Sequence, residues 1–189
     1  MKKRTRQDDE IENWQISIFG LKAGPGRSNK YVEDASLFDN GKEAKLELKG
    51  TDTKNSFSSS SRMGFMKIAQ WKETIIGIVF TRKYGDASKN EHWFLTHDDM
   101  EEWYKEVIGK QERGHAGRAG LSAWREAKAI LVSGGLCVDK IKELEKTVIF
   151  GSRLNDPKIS LKYCRENGTK LDNSRLIESL REVVRRRVL

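Results

Sequence analysis

The segment AKLELKGTDTK, residues 44–54, contains a carboxylate and an amine two residues apart, Glu47 and Lys49. Side chains alternate between the two faces of a strand, so a strand here places both groups on one face, opposite Leu46 and Leu48. The pattern has two interpretations. The charges either face water on a half-buried strand, or they are held together for metal-assisted chemistry. The spacing alone leaves both open.

Metal-assisted cleavage of a phosphodiester needs acidic oxygens around Mg²⁺, and it benefits from a cation near the charge that develops. Asp34 is the candidate for the second acid, because it lies upstream of Glu47 across the turn residues Asp39-Asn40-Gly41. A second copy of the spacing, Glu126-Ala127-Lys128, falls in a predicted helix. Residues i and i+2 do not share a helix face, so we expect that copy to have no chemical role.

Composition favours a basic protein with a polyanionic partner. The 189 residues suit one domain, and 36 Lys and Arg against 28 Asp and Glu give a formal charge of +8. Such an excess favours nucleic acid or an anionic membrane surface. No apolar run approaches the ~20 residues of a membrane span. Cys137 and Cys164 lie far apart, which argues against a disulfide framework or a zinc site and predicts a protein of the reducing cytoplasm.

The hydrophobic pattern predicts a mixed α/β chain. Residues 11–21 remain ambiguous between helix and strand. We predict strands at 44–49, 74–81, 93–96, 147–151 and 159–163. We predict helices around 63–71, from the Thr96/Asp99 capping pair to about 112, at 121–132, at 138–146, and as an amphipathic segment within 173–189.

Three stretches of the chain carry a family resemblance. EDASLFDNGKEAKLELK, FSSSSRMGFMKIAQWKE and, much later, NDPKISLKYCRENGTKL resemble PvuII-like type II restriction endonucleases of the PD-(D/E)XK nuclease superfamily. The resemblance covers roughly residues 34–112 and 155–171. It implies a single endonuclease domain over 1–189, an α/β fold with a mixed central sheet flanked by helices. In this arrangement 113–154 is a helical insertion and 172–189 an additional C-terminal helix.

Transferred position by position, the resemblance implies that Asp34 and Glu47 are metal ligands and that Lys49 is the catalytic lysine. It implies Mg²⁺-dependent hydrolysis of double-stranded DNA, with inversion at phosphorus and 5′-phosphate ends. Glu33 stands where the superfamily name has proline.

The chain departs from the family where that family contacts bases. Ser60, Ser61 and Arg62 replace three histidines, and Asn155-Asp156 replaces a pair of asparagines. These changes predict the same reaction at a different DNA sequence. The predicted DNA-binding residues are Ser60, Ser61, Arg62, Asn155, Asp156 and Lys158. From composition alone the serine run also fits a mobile linker.

Palindromic sites, usual for this class, imply a homodimer with two identical active sites. A cognate DNA methyltransferase is expected in the same system. The alternatives are one subunit of a heterodimeric or nicking endonuclease, and a non-catalytic basic DNA-binding protein. We interpret Arg185-Arg186-Arg187 as complementing the dipole of the last helix rather than as phosphate contacts.

Overall fold

A computed structural model describes residues 7–25, 33–59, 63–115, 125, 129 and 157–187. They fall into two compact units. The first is drawn from Met1–Ser58, Ile75–Met100 and Lys158–Leu189, and the second from Ser59–Thr74 and Glu101–Pro157. Within the elements predicted at 121–132, 138–146 and 147–151, the described residues are Arg125 and Ala129, both helical, and the rest lies outside them.

The first unit contains a mixed six-stranded sheet, which confirms the α/β prediction. Its strand order is β1-β2-β3-β5-β6-β8, with β3 and β5 parallel and the other neighbours antiparallel. The strands of this sheet are β1 (Lys22–Ala23), β2 (Ala35–Asp39), β3 (Lys42–Thr51), β5 (Gly77–Arg82), β6 (Glu91–Thr96) and β8 (Thr169–Lys170). A second, two-stranded sheet pairs β4 (Ser56–Ser58) with β7 (Lys158–Ser160).

Strands β2 and β3 form a hairpin whose turn is Asn40-Gly41. Asp39 pairs with Lys42, and both turn residues have positive φ, 49° and 78°. That geometry belongs to a type I′ turn, whose twist matches the twist of paired strands. The predicted turn is therefore confirmed, and it fixes the register that brings residues just before β2 beside Glu47.

Helices α1 (Gln7–Ile18) and α5 (Leu176–Arg187) pack on one face of this sheet. The apolar stripe of α5 is confirmed by the burial of Leu180, Val183 and Val184. The ambiguous segment 11–21 is helical as far as Ile18. The core of this face contains Phe19, Leu21, Ala35, Leu37, Ala44, Leu46, Leu48, Val79, Phe94, Leu171, Leu180, Val183 and Val184.

The predicted strand at 159–163 is wrong beyond its second residue. Strand β7 ends at Ser160, and helix α4 (Leu161–Asn167) follows at once. The Ser160 hydroxyl accepts a hydrogen bond from Tyr163 N at 3.0 Å and so caps the helix. A serine cap ends the strand although the pattern of the next residues still fits one.

The second unit contains helices α2 (Phe65–Thr74) and α3 (Glu101–His115), both predicted. Phe65 N donates to Gln111 Oε1 at 2.8 Å, and Lys72 Nζ lies 2.8 Å from Glu101 Oε2. In the first unit, Thr96 N and Oγ1 both donate to Asp99 Oδ2, at 2.8 and 2.9 Å. The predicted capping pair therefore forms, just ahead of the regular helix.

Among the described residues, no helix combines the length and apolar character needed to cross a membrane.

A buried polar chain ties α1 to the sheet and predicts an acid-sensitive fold. Gln15 Nε2 donates to Thr81 Oγ1 at 3.0 Å, and Thr81 Oγ1 lies 2.9 Å from His92 Nδ1. Burial lowers the pKa of His92 from 6.5 to about 4, and its ring also contacts Phe19 and Trp14, which are uncharged. The folded state therefore resists a proton that the unfolded state accepts.

Because the folded-state pKa of His92 is depressed, its cost to stability grows as pH falls from 6.5 towards 4. Between pH 7.5 and pH 5 we expect this group to remove about 2 kcal/mol of unfolding free energy. Urea unfolding of wild type and His92→Gln at both pH values measures the difference. Equal pH dependence in wild type and His92→Gln would contradict the prediction.

Candidate active site

Three predicted site residues, Asp34, Glu47 and Lys49, lie together beside the β2–β3 hairpin. Alternation along β3 places Glu47 and Lys49 on the face opposite Leu46 and Leu48, as the sequence predicts. Asp34 precedes β2 and is held to β3 by two hydrogen bonds. Its N donates to the carbonyl of Leu46 at 3.0 Å, and its Oδ2 accepts from Leu48 N at 2.8 Å.

Lys49 lies between the two carboxylates. Its Nζ is 2.6 Å from Glu47 Oε1 and 3.8 Å from Asp34 Oδ2, and it also donates to the carbonyl of Leu48 at 3.2 Å. The side chains of Asp34, Glu47 and Lys49 are 23%, 9% and 17% exposed. The three groups are therefore largely shielded but not fully buried.

The charges around Lys49 determine its protonation. Burial by itself would lower the pKa of Lys49, but the carboxylates of Glu47 and Asp34 and the hydrogen bond that Lys49 donates to Glu47 raise it well above its ordinary value. Glu12, on α1, adds a further negative charge that raises this pKa. The amine is thus held as an ammonium ion.

Glu12 is a site residue that the sequence did not reveal. It lies in the segment 11–21, whose pattern fits helix and strand about equally, so nothing placed it near β3. Only the packing of α1 against β3 brings its charge to Lys49. The helical periodicity of residues 7–18 is the sequence signal that could place Glu12 on a helix, and this periodicity is weak.

Gly24, just after β1, holds the backbone at Asp34. Its N donates to the Asp34 carbonyl at 2.8 Å. A Cβ built on Gly24 would lie 2.1 Å from the Glu33 carbonyl oxygen and 3.0 Å from that of Asp34. Only a residue without a side chain permits this approach, so Gly24 contributes to the position of the first carboxylate.

The two-stranded sheet lies on the same face as the catalytic candidates. Lys49 is the register partner of Phe80 in the parallel pair β3–β5, so the two side chains share a face. Phe57 of β4 packs on Phe80 with ring centroids 5.0 Å apart. Lys158 of β7 donates from Nζ to Ser58 Oγ at 2.8 Å.

The other predicted DNA-binding residues, Ser60, Ser61, Arg62, Asn155 and Asp156, lie outside the described residues, as do Glu126 and Lys128. Two described residues that flank these segments contact each other. Ser59, which precedes Ser60, donates from Oγ to the carbonyl of Pro157, which follows Asp156, at 2.7 Å.

The basic end of α5 makes ion pairs within the first unit. Arg185 Nη2 donates to Asp39 Oδ1 at 2.7 Å, and Arg187 Nη2 donates to Asp99 Oδ1 at 2.7 Å. These contacts fasten the end of the helix to the sheet hairpin and to the segment after β6. They give two of the three arginines a structural role beyond the helix dipole.

The donor set can be compared with what Mg²⁺ requires. Among the described residues, no group of three or more His, Cys, Asp or Glu side chains is arranged to enclose a metal. Mg²⁺ does not need such a cage, because it commonly binds one or two carboxylates and completes its shell with water and phosphate oxygens. Asp34 and Glu47 supply two hard oxygen donors that approach the same ammonium ion. The residues present therefore fit Mg²⁺.

Comparison with known proteins adds no family to this description. The chain matches no protein-family model and no curated protein. A function for the chain therefore rests on the geometry of this site and on the sequence resemblance.

Proposed function

We propose that the chain is a type II restriction endonuclease that hydrolyses double-stranded DNA with Mg²⁺ and leaves 5′-phosphate ends. One observation carries the proposal. The carboxylates of Asp34 and Glu47 lie at 3.8 and 2.6 Å from the Lys49 ammonium, and all three side chains are shielded but not fully buried. A solvated strand would not gather two acids, shield them and hold a lysine between them.

In this proposal each group has a distinct role. Asp34 and Glu47 would hold Mg²⁺, which supplies Lewis-acid stabilisation of the phosphate oxygens when bound. Lys49 donates hydrogen bonds that orient the attacking water and stabilise the negative charge growing on the phosphate. The water oxygen bonds to phosphorus and gives up a proton to solvent water, the bond to the 3′ oxygen breaks, and that oxygen takes up a proton from water and leaves as a hydroxyl.

A mixed central sheet flanked by helices supports the proposed restriction-endonuclease-like fold, because its strand β3 and the residue just before β2 supply the three residues that the resemblance assigns. The formal charge of +8 favours binding of a polyanion. Lys158 and Ser58 lie on the sheet that packs on the catalytic face. We infer that Ser60, Ser61, Arg62, Asn155 and Asp156, which the resemblance assigns to DNA contacts, also take part in DNA binding.

The proposed active form is a homodimer, in which two-fold symmetry offers one active site to each strand of a palindrome. A cytoplasmic methyltransferase of the same specificity would then be required to protect host DNA. We expect sedimentation on cleavable DNA to show two chains per site. One chain per site would instead favour a nicking or heterodimeric enzyme.

The proposal is tested by incubating plasmid DNA with the full-length protein and Mg²⁺, beside an EDTA control, and mapping the product ends. Discrete fragments with 5′-phosphate ends that depend on Mg²⁺ are the expected result. Nicked circles would assign a nickase. A gel shift without cleavage would assign a non-catalytic DNA-binding protein and overturn the proposal.

A further inference from the structure

A second lysine lies on the catalytic face of β3. Lys45 is two residues before Glu47 and four before Lys49, so alternation points all three side chains the same way. Its side chain is 44% exposed, compared with 9% for Glu47 and 17% for Lys49. Lys45 is therefore partly exposed at the edge of the site, whereas Glu47 and Lys49 are shielded.

Lys45 lies close to the buried carboxylate of Glu33 but donates no hydrogen bond to it. Its Nζ lies 3.5 Å from Glu33 Oε1, and to the described residues it donates no hydrogen bond. The Glu33 side chain is 7% exposed, and its Oε2 is buried without a hydrogen-bond partner. A buried carboxylate normally requires donors or a cation, so the charge of Lys45 compensates Glu33 at a distance.

This arrangement differs from an ordinary surface ion pair. At 3.5 Å between nitrogen and oxygen, the attraction to Glu33 biases Lys45 towards the site but leaves its three N–H donors for another acceptor. An acceptor there would have to be anionic, because a neutral one would compete poorly with Glu33. The position beside Glu47 indicates where that anion would lie.

We propose that Lys45 binds the DNA phosphate next to the one that is cut, through its non-bridging oxygens. Same-face residues on a strand are separated by about 6.6–6.8 Å. That is comparable to the through-space separation of neighbouring phosphates on one DNA strand, whose charges recur at every nucleotide. The inference rests on the proposed function and deepens it, since it assigns a phosphate subsite beside the catalytic groups.

The direct test pairs a protein change with a DNA change. The duplex carries the cleavage site mapped on plasmid, with or without one uncharged methylphosphonate at the phosphate adjoining the scissile one. Binding is measured in EDTA. For wild type the methylphosphonate should weaken binding about tenfold. For Lys45→Met we expect weaker binding to the normal duplex, and almost no further loss on the substituted duplex.

Two further readouts follow from the same contact. The slope of log K against log salt should fall by about one in Lys45→Met. In Mg²⁺, KM should rise about tenfold while kcat changes less than about threefold, because Lys45 does not touch the reacting atoms. Lys42→Met, on the opposite face of the same strand, is the matched control and should behave as wild type. Lys45→Gln replaces the methionine variant if that variant unfolds.

The double variant Glu33→Gln/Lys45→Met distinguishes phosphate binding by Lys45 from a role limited to compensating the charge of Glu33. If Lys45 only neutralises Glu33, the double variant regains wild-type affinity, and this overturns the inference. An equal methylphosphonate effect in wild type and Lys45→Met also overturns it. If wild type binds and cuts DNA, such results remove the subsite alone, whereas absence of cleavage removes the proposed function.

Discussion

Alanine at Lys49 is expected to reduce DNA cleavage by at least about a hundredfold, the range found for removal of a transition-state donor. Asp34→Ala and Glu47→Ala should likewise abolish cleavage, because each removes one of the two oxygen ligands available to Mg²⁺. The measurement is the single-turnover rate on a duplex with the mapped site, at saturating Mg²⁺. Full activity of Lys49→Ala would contradict the assignment.

Loss of folding must be separated from loss of chemistry in these variants. Removing Lys49 leaves Glu47 shielded and without its 2.6 Å partner, which costs stability. The free energy of unfolding of each variant should therefore be measured in urea beside its cleavage rate. Glu126→Ala and Lys128→Ala are the matched controls, since they carry the same spacing on a predicted helix and should cleave at nearly the wild-type rate.

The sequence predicted the turn at Asp39-Asn40-Gly41 and the polar face of β3, because local signals determine both, although it did not predict β2 as a strand. Asn40-Gly41 specifies a turn with positive φ, and alternation of Leu46 and Leu48 with charged residues specifies which face is buried. Asp34 could be placed beside Glu47 for the same reason, since antiparallel strands joined by a two-residue turn have a fixed register.

The contributions of Glu12 and Glu33 could not be predicted, because they depend on tertiary contacts. Glu12 reaches the field of Lys49 only after α1 packs on the sheet. Glu33 is buried and Gly24 approaches its backbone closely, and no local pattern in the sequence indicates either feature. The prediction of a strand over 159–163 is wrong beyond Ser160 for a different reason. One serine hydroxyl at residue 160 supplies a helix cap, and capping outweighs a short β pattern.

The choice of bases should depend on two residues outside the described part of the chain, Arg62 and Asp156. An arginine can donate two hydrogen bonds to guanine O6 and N7. An ionised aspartate lacks the amide donor with which asparagine reads adenine, but it can accept from the amino group of cytosine. We therefore expect each half-site to contain at least one G·C pair read by these residues, and the site to differ from that of the PvuII-like enzymes.

A bidentate base contact contributes about 1–3 kcal/mol of discrimination, so Arg62→Ala should lower specific cleavage roughly ten- to a hundredfold or more. Non-specific binding should weaken much less. Arg62→Lys is the informative control, because it keeps the charge but loses the planar pair of donors, and specificity should still fall. For Asp156→Asn, sequencing of the cleavage products should show altered base preference, since the acceptor regains an amide donor. A cleavage site made only of A·T pairs, or unchanged preference in Asp156→Asn, would remove both residues from base reading.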